Sequence, residues 1–180
     1  MMTSNDLEEI RYPIGRLKLD PEVTEAKRQS WIAHIASLPE HLRSALDGLS
    51  ELQLDQRYQA GGWTVRQVAH HLADEHLNAF AYFKMALTED DPAIKTYEEP
   101  LWAETPDARQ APIALSLTLL TALHARWVHL LRSLDEKEFA RGYSHPSRGR
   151  VSLNDGIQLY AWHGLHHSAQ ITGLRAREGW

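Results

Sequence analysis

Apolar residues recur at intervals of three and four along most of the chain, and four long segments carry that helical period. The first runs from about Pro21 to Gly48, with Trp31, Ile32, Ile35, Leu38, Leu42, Leu46 and Leu49 on its stripe. Pro39 falls inside it and predicts a kink or two abutting helices. A loop through Leu54, Tyr58, Gly61 and Gly62 follows. The second helix opens at Thr64-Val-Arg-Gln67, a capping-box sequence, and extends to about Leu87 before Thr88-Glu-Asp-Asp-Pro92 stops it. Residues 89–111 carry Pro92, Pro100 and Pro106 with the aromatic residues Tyr97 and Trp102. A connection of that length in a small domain points to function or mobility, with the two aromatics as candidates for a lid.

The third helix covers Pro112 to Leu134, with Ile113, Leu117, Leu120, His124, Trp127 and Leu131 on one stripe. An irregular stretch containing Gly142, Pro146 and Gly149 leads to Ser152, which caps a last helix reaching about Arg177. No alternating hairpin and no repeat stand out. The expectation is one all-α domain over residues 1–180, a four-helix bundle with long connections and an irregular segment over residues 1–20.

At 180 residues the chain is long enough for one full core. A net charge of -5 with acids and bases interspersed gives no basic stripe, which argues against nucleic acid as a partner. No segment has the pattern of a signal peptide, and none is read as a membrane span. Cysteine is absent, which excludes disulfides and thiolate ligands and suits the cytoplasm.

Eleven histidines change this picture. His163 and His167 are one turn apart on the face of the last helix that also carries Leu153, Gly156, Tyr160, Ile171 and Leu174. Two inward imidazoles need polar partners, and a shared metal ion satisfies both. His166 lies at least a quarter-turn away. On the second helix, His76 sits near the centre of the apolar stripe and His71 at its edge beside Glu75 and Tyr82. Periodicity favours His76 as the buried one, whereas a metal facing a cleft favours His71; the two stay level. His70 is expected to face solvent. His124 faces inward, and His34, His41, His129 and His145 read as surface residues.

The segment Gly61-Gly-Trp-Thr-Val-Arg-Gln-Val-Ala-His-His-Leu-Ala-Asp74, followed by Trp162-His-x-x-His-His167, resembles the DinB-like four-helix metalloprotein superfamily and, within it, the YfiT-type metal-dependent hydrolases. The likeness extends to Tyr12-Pro-Ile-Gly15, Leu123-His-Ala-Arg-Trp127 and Gly179-Trp180. It implies a homodimer of DinB-type bundles, each holding one zinc or nickel ion on three histidines with water completing the shell. The family's first ligand falls on His71, immediately before Leu-Ala-Asp, and the others on His163 and His167. His76 then becomes a residue around the ligands.

Three neutral imidazoles leave a divalent ion with its double charge and an open position, so hydrolysis of a small molecule by metal-activated water is the direct inference. Glu75, four residues from His71, is the candidate general base. The zinc-protease arrangement His-Glu-x-x-His is absent, because Gly164 and Leu165 follow His163. Two alternatives stand beside hydrolysis. One is transfer of a low-molecular-weight, bacillithiol-like thiol to an electrophile; the other is a non-catalytic metal- or ligand-binding stress protein.

Overall fold

A computed structural model describes residues 4–180, with side chains from residue 7 onward. Its elements are α1 (Ser4–Arg11), α2 (Glu25–Leu46), α3 (Glu51–Leu54), α4 (Val65–Thr88), α5 (Glu99–Trp102), α6 (Pro106–Gln110), α7 (Ile113–Ser133), α8 (Glu136–Ala140), β1 (Gly142–His145), β2 (Gly149–Ser152) and α9 (Leu153–Glu178). The long helices α2, α4, α7 and α9 form a four-helix bundle. Packing runs round the ring α2, α9, α4, α7 and back to α2, so the consecutive helices α2 and α4 occupy opposite corners.

The caps expected from sequence are present. Thr64 accepts from the Gln67 amide while the Gln67 side chain reaches back, and Ser152 and Asp155 form the same box on α9. Two short strands, β1 and β2, pair antiparallel across a turn at 146–148, with Gly149 at φ 72°. Each strand has four residues, too few for a period of two to show against its surroundings. The N-terminal segment also departs from expectation: residues 4–11 are helical and end before Pro13, while residues 1–3 lie outside the described residues.

Pro39 does not divide α2 into two helices; the helix runs unbroken from Glu25 to Leu46. Proline has no N–H to give the carbonyl four residues back, that of Ile35. The Nδ1–H of His124, on α7, donates to that oxygen at 2.6 Å and supplies the missing bond. Packing of α7 on α2 thus repairs the helix that proline would otherwise open.

The core has two apolar halves. One gathers Phe83, Trp127, Phe139 and Tyr143; the other gathers Leu42, Leu72, Leu120 and Ile171. Between them, at the level of His76, His124, His163 and His167, the bundle interior is polar. Gly164 lets α9 approach α2, because a Cβ there would lie 2.7 Å from Leu38 Cδ2. Among the described residues, Ile113–Ser133 is the helix long and apolar enough to cross a membrane. Leu117, Leu120 and Leu131 of this helix face the core, and it is also apolar outside, where Leu115 is 63% exposed.

Candidate metal centre

Helix α4 supplies His71 and, one turn later, Glu75; α9 supplies His163 and His167. One ring nitrogen from each of His71, His163 and His167 can be chosen so that all three lie within 4.8 Å of one another. The Nε2 atoms of His71 and His163 are 3.2 Å apart. Two nitrogens on a tetrahedral zinc ion at ~2.0–2.1 Å would stand roughly 3.3 Å apart, so the spacing fits a shared ion. Burial holds these rings in the neutral, ligating form. The His71 pKa is pushed down to about 4, and those of His163 and His167 lie well below the ordinary value.

Neighbouring side chains set where the protons sit. His167 Nδ1–H donates to Gln170 Oε1 at 2.8 Å, leaving the Nε2 lone pair free. The amide nitrogen of Gln170 donates to His166 Nε2 at 3.0 Å and to the Arg11 carbonyl at 2.9 Å. One amide therefore joins a candidate ligand to the N-terminal segment. His163 Nδ1 faces His76 Nε2 at 3.2 Å. Trp63, placed by the turn at Gly61 (φ 71°), covers His71 with ring centroids 4.6 Å apart.

These groups border a cleft of about 530 Å³, which Tyr12, Glu75, Tyr97, Arg148, Tyr160 and Trp162 also line. Burial raises the Glu75 carboxyl to about 7 against hydrogen bonds from Tyr97 and Tyr160 that pull it down; Glu99 raises it and Arg148 lowers it. Tyr97 O–H donates to Glu75 Oε2 at 2.8 Å and packs on Trp102 at 4.3 Å. The long 89–111 connection thus delivers a hydroxyl to the cleft, and the turn after β1 delivers Arg148.

His70 does not face solvent: it is buried, and Ser116 is the reason. The Ala111 carbonyl accepts from His70 Nε2–H at 3.1 Å, so Nδ1 accepts the Ser116 hydroxyl at 2.7 Å. Those partners are 41 and 46 residues away, beyond the reach of a local pattern. His166 is buried too, stacked 4.5 Å from Trp162. Asp74 is partly covered, and burial lifts its carboxyl to about 6. His145 lies on the cleft wall. Tyr97 had no readable signal for its contact with Glu75. Gln170 did have one, since it lies three residues after His167 on the same face.

The class defined here is a four-helix bundle with a cluster of three neutral imidazoles opening on a cleft. The model of the DinB superfamily matches residues 34–171, and the chain belongs to that family. A Bacillus cereus (strain AH820) protein named "Putative metal-dependent hydrolase" is 47% identical over 97% of this chain and 100% of its own length. A Bacillus anthracis (strain A0248) protein of the same name matches equally. YfiT from Bacillus subtilis, described as a probable metal-dependent hydrolase with an unusual four-helix bundle topology, superposes with a TM-score of 0.93. It is 43% identical, over 96% of this chain and 99% of YfiT.

Proposed function

We propose that this chain is a metal-dependent hydrolase of a small polar molecule. In this reading His71, His163 and His167 hold one divalent transition-metal ion, zinc or nickel, and Glu75 acts as general base. The observation that carries the reading is the convergence of three neutral imidazole nitrogens beside a cleft lined by a carboxyl raised to about 7. The names of the relatives support it. A divalent ion with an open position supplies Lewis acidity, acidifying water and polarising a substrate oxygen.

The chain's own residues do the rest. With its carboxyl near 7, Glu75 takes a proton from an attacking water and returns it to a leaving group at neutral pH. Tyr97 holds one Glu75 oxygen and so directs the other. Gln170 fixes the proton on His167. A homodimer belongs to the same proposal, supported by the apolar outer face of α7 at Leu115 and Leu119.

The test is turnover of amide and ester substrates by the metal-loaded chain, with and without an added thiol. Hydrolysis should proceed without thiol and stop on chelation. Glu75→Gln should lower the rate by ~10²–10⁴-fold while the ion is retained. Turnover that requires a thiol would replace this reading with S-transfer. Ligand-induced stabilisation without turnover would replace it with a binding module.

A further inference from the structure

Behind the candidate ligands, on the side away from the cleft, three buried nitrogens lack partners among the described residues: His76 Nδ1, His124 Nε2 and Trp127 Nε1. Their rings are mutual neighbours. His76 and His124 stack with centroids 4.9 Å apart at 20°, and Trp127 meets both edge-on at 5.8 and 5.9 Å. Each ring is at most 1% exposed. Leaving three such groups unsatisfied forfeits their hydration with nothing in return.

Hydrogen-bond arithmetic assigns each nitrogen a role. His124 Nδ1 must carry a proton, because its partner, the Ile35 carbonyl freed by Pro39, can only accept. A neutral His124 therefore presents a bare acceptor at Nε2. Trp127 Nε1–H is a donor only. If His163 offers its Nε2 lone pair to a metal, its Nδ1–H donates to His76 Nε2, and a neutral His76 then carries its own proton at Nδ1. Two donors and one acceptor remain. Stacked rings present faces rather than in-plane lone pairs, so His76 and His124 cannot satisfy each other directly. One water molecule can accept from His76 and Trp127 and donate to His124, and three bonds is the usual complement of a buried water.

We propose that His76, His124 and Trp127 bind a buried structural water, and that the chain from Ile35 through His124, this water and His76 positions His163 with its Nε2 lone pair toward the metal. The water site stands on the three unpartnered nitrogens whichever nitrogen of His76 carries the proton, because a water can donate to a bare Nδ1 as well as accept from Nδ1–H. The positioning role rests also on the metal reading above. His124 also borders a groove between α2 and α7, together with Ala36, Pro39 and Val128.

Two experiments on the full chain test this. A high-resolution crystal structure should show a solvent peak within hydrogen-bonding distance of all three nitrogens; dry space there would overturn the water site. Zinc affinity by chelator competition should fall ~10–100-fold in His76→Phe, which cannot accept from His163, and return to within about threefold of wild type in His76→Gln, which can. Circular dichroism reports whether each variant folds. Should His76→Phe unfold, ¹⁵N histidine spectra of the zinc-loaded wild type decide: a proton on His163 Nδ1 supports the role, and one on Nε2 overturns it. Unchanged affinity in folded His76→Phe, or no rescue by His76→Gln, overturns the positioning role alone. Failure of wild type to take up zinc overturns the metal reading and the positioning role together, leaving the crystallographic water to be judged by itself.

Discussion

Acidifying the metal-free chain from pH 7 to pH 5 should remove a large part of its stability. Burial holds His71, His124 and His166 at about 4 in the fold, against 6.5 for the free side chain. Because these folded pKa values are depressed, the unfolded chain binds more protons, and stability falls as pH drops through 6.5 toward 4. For one histidine the loss between pH 7 and pH 5 is about 2 kcal/mol, and for the three roughly 5–6 kcal/mol. His76, His163 and His167 push in the same direction. Glu75 opposes them: raised from 4.5 to about 7, it favours the fold in acid. Its share over the same interval is ~2 kcal/mol, and Asp74 adds a smaller amount of the same sign. The net loss is still a large fraction of the ~5–15 kcal/mol that holds a typical domain together. Urea unfolding at pH 7, 6 and 5 with a chelator present measures it, provided the slope stays constant. Equal stability at pH 5 and 7 within about 1 kcal/mol, or a rise on acidification, would refute the reasoning that the buried histidines are held neutral.

Two substitutions probe the scaffold of the site. Gly164→Ala places a Cβ 2.7 Å from Leu38 at the α2–α9 contact, and should destabilise by ~1–3 kcal/mol through overpacking, read as a lower urea midpoint. Gln170→Ala removes both the acceptor for His167 Nδ1–H and the tie to the Arg11 carbonyl. It should weaken zinc binding ~10–100-fold and quicken proteolysis near residues 12–20; wild-type values for both would contradict the coupling.

How much of this was readable in the chain depends on how local each cause is. The capping boxes at Thr64 and Ser152 complete themselves within four residues, so both helix starts were visible. The shared face of His163 and His167 follows from helical period alone. Periodicity left His71 and His76 level, and both lie against His163, on its two different nitrogens. His71 clusters with the α9 pair beside the cleft, and His76 sits in the interior behind. Causes that span the fold stayed hidden. The continuity of α2 through Pro39 depends on His124, 85 residues later, and the burial of His70 on Ser116, 46 residues later. Tyr97 reaches Glu75 through a connection whose path no local pattern specifies.

The central claim is that three histidines hold one ion, and elemental analysis of the purified chain tests it most directly. The account predicts about one zinc or nickel ion per chain, lost in His71→Ala, His163→Ala and His167→Ala while His70→Ala, if folded, retains it. Full metal content in any of those three variants, or none in the wild-type chain after incubation with zinc or nickel, would contradict it.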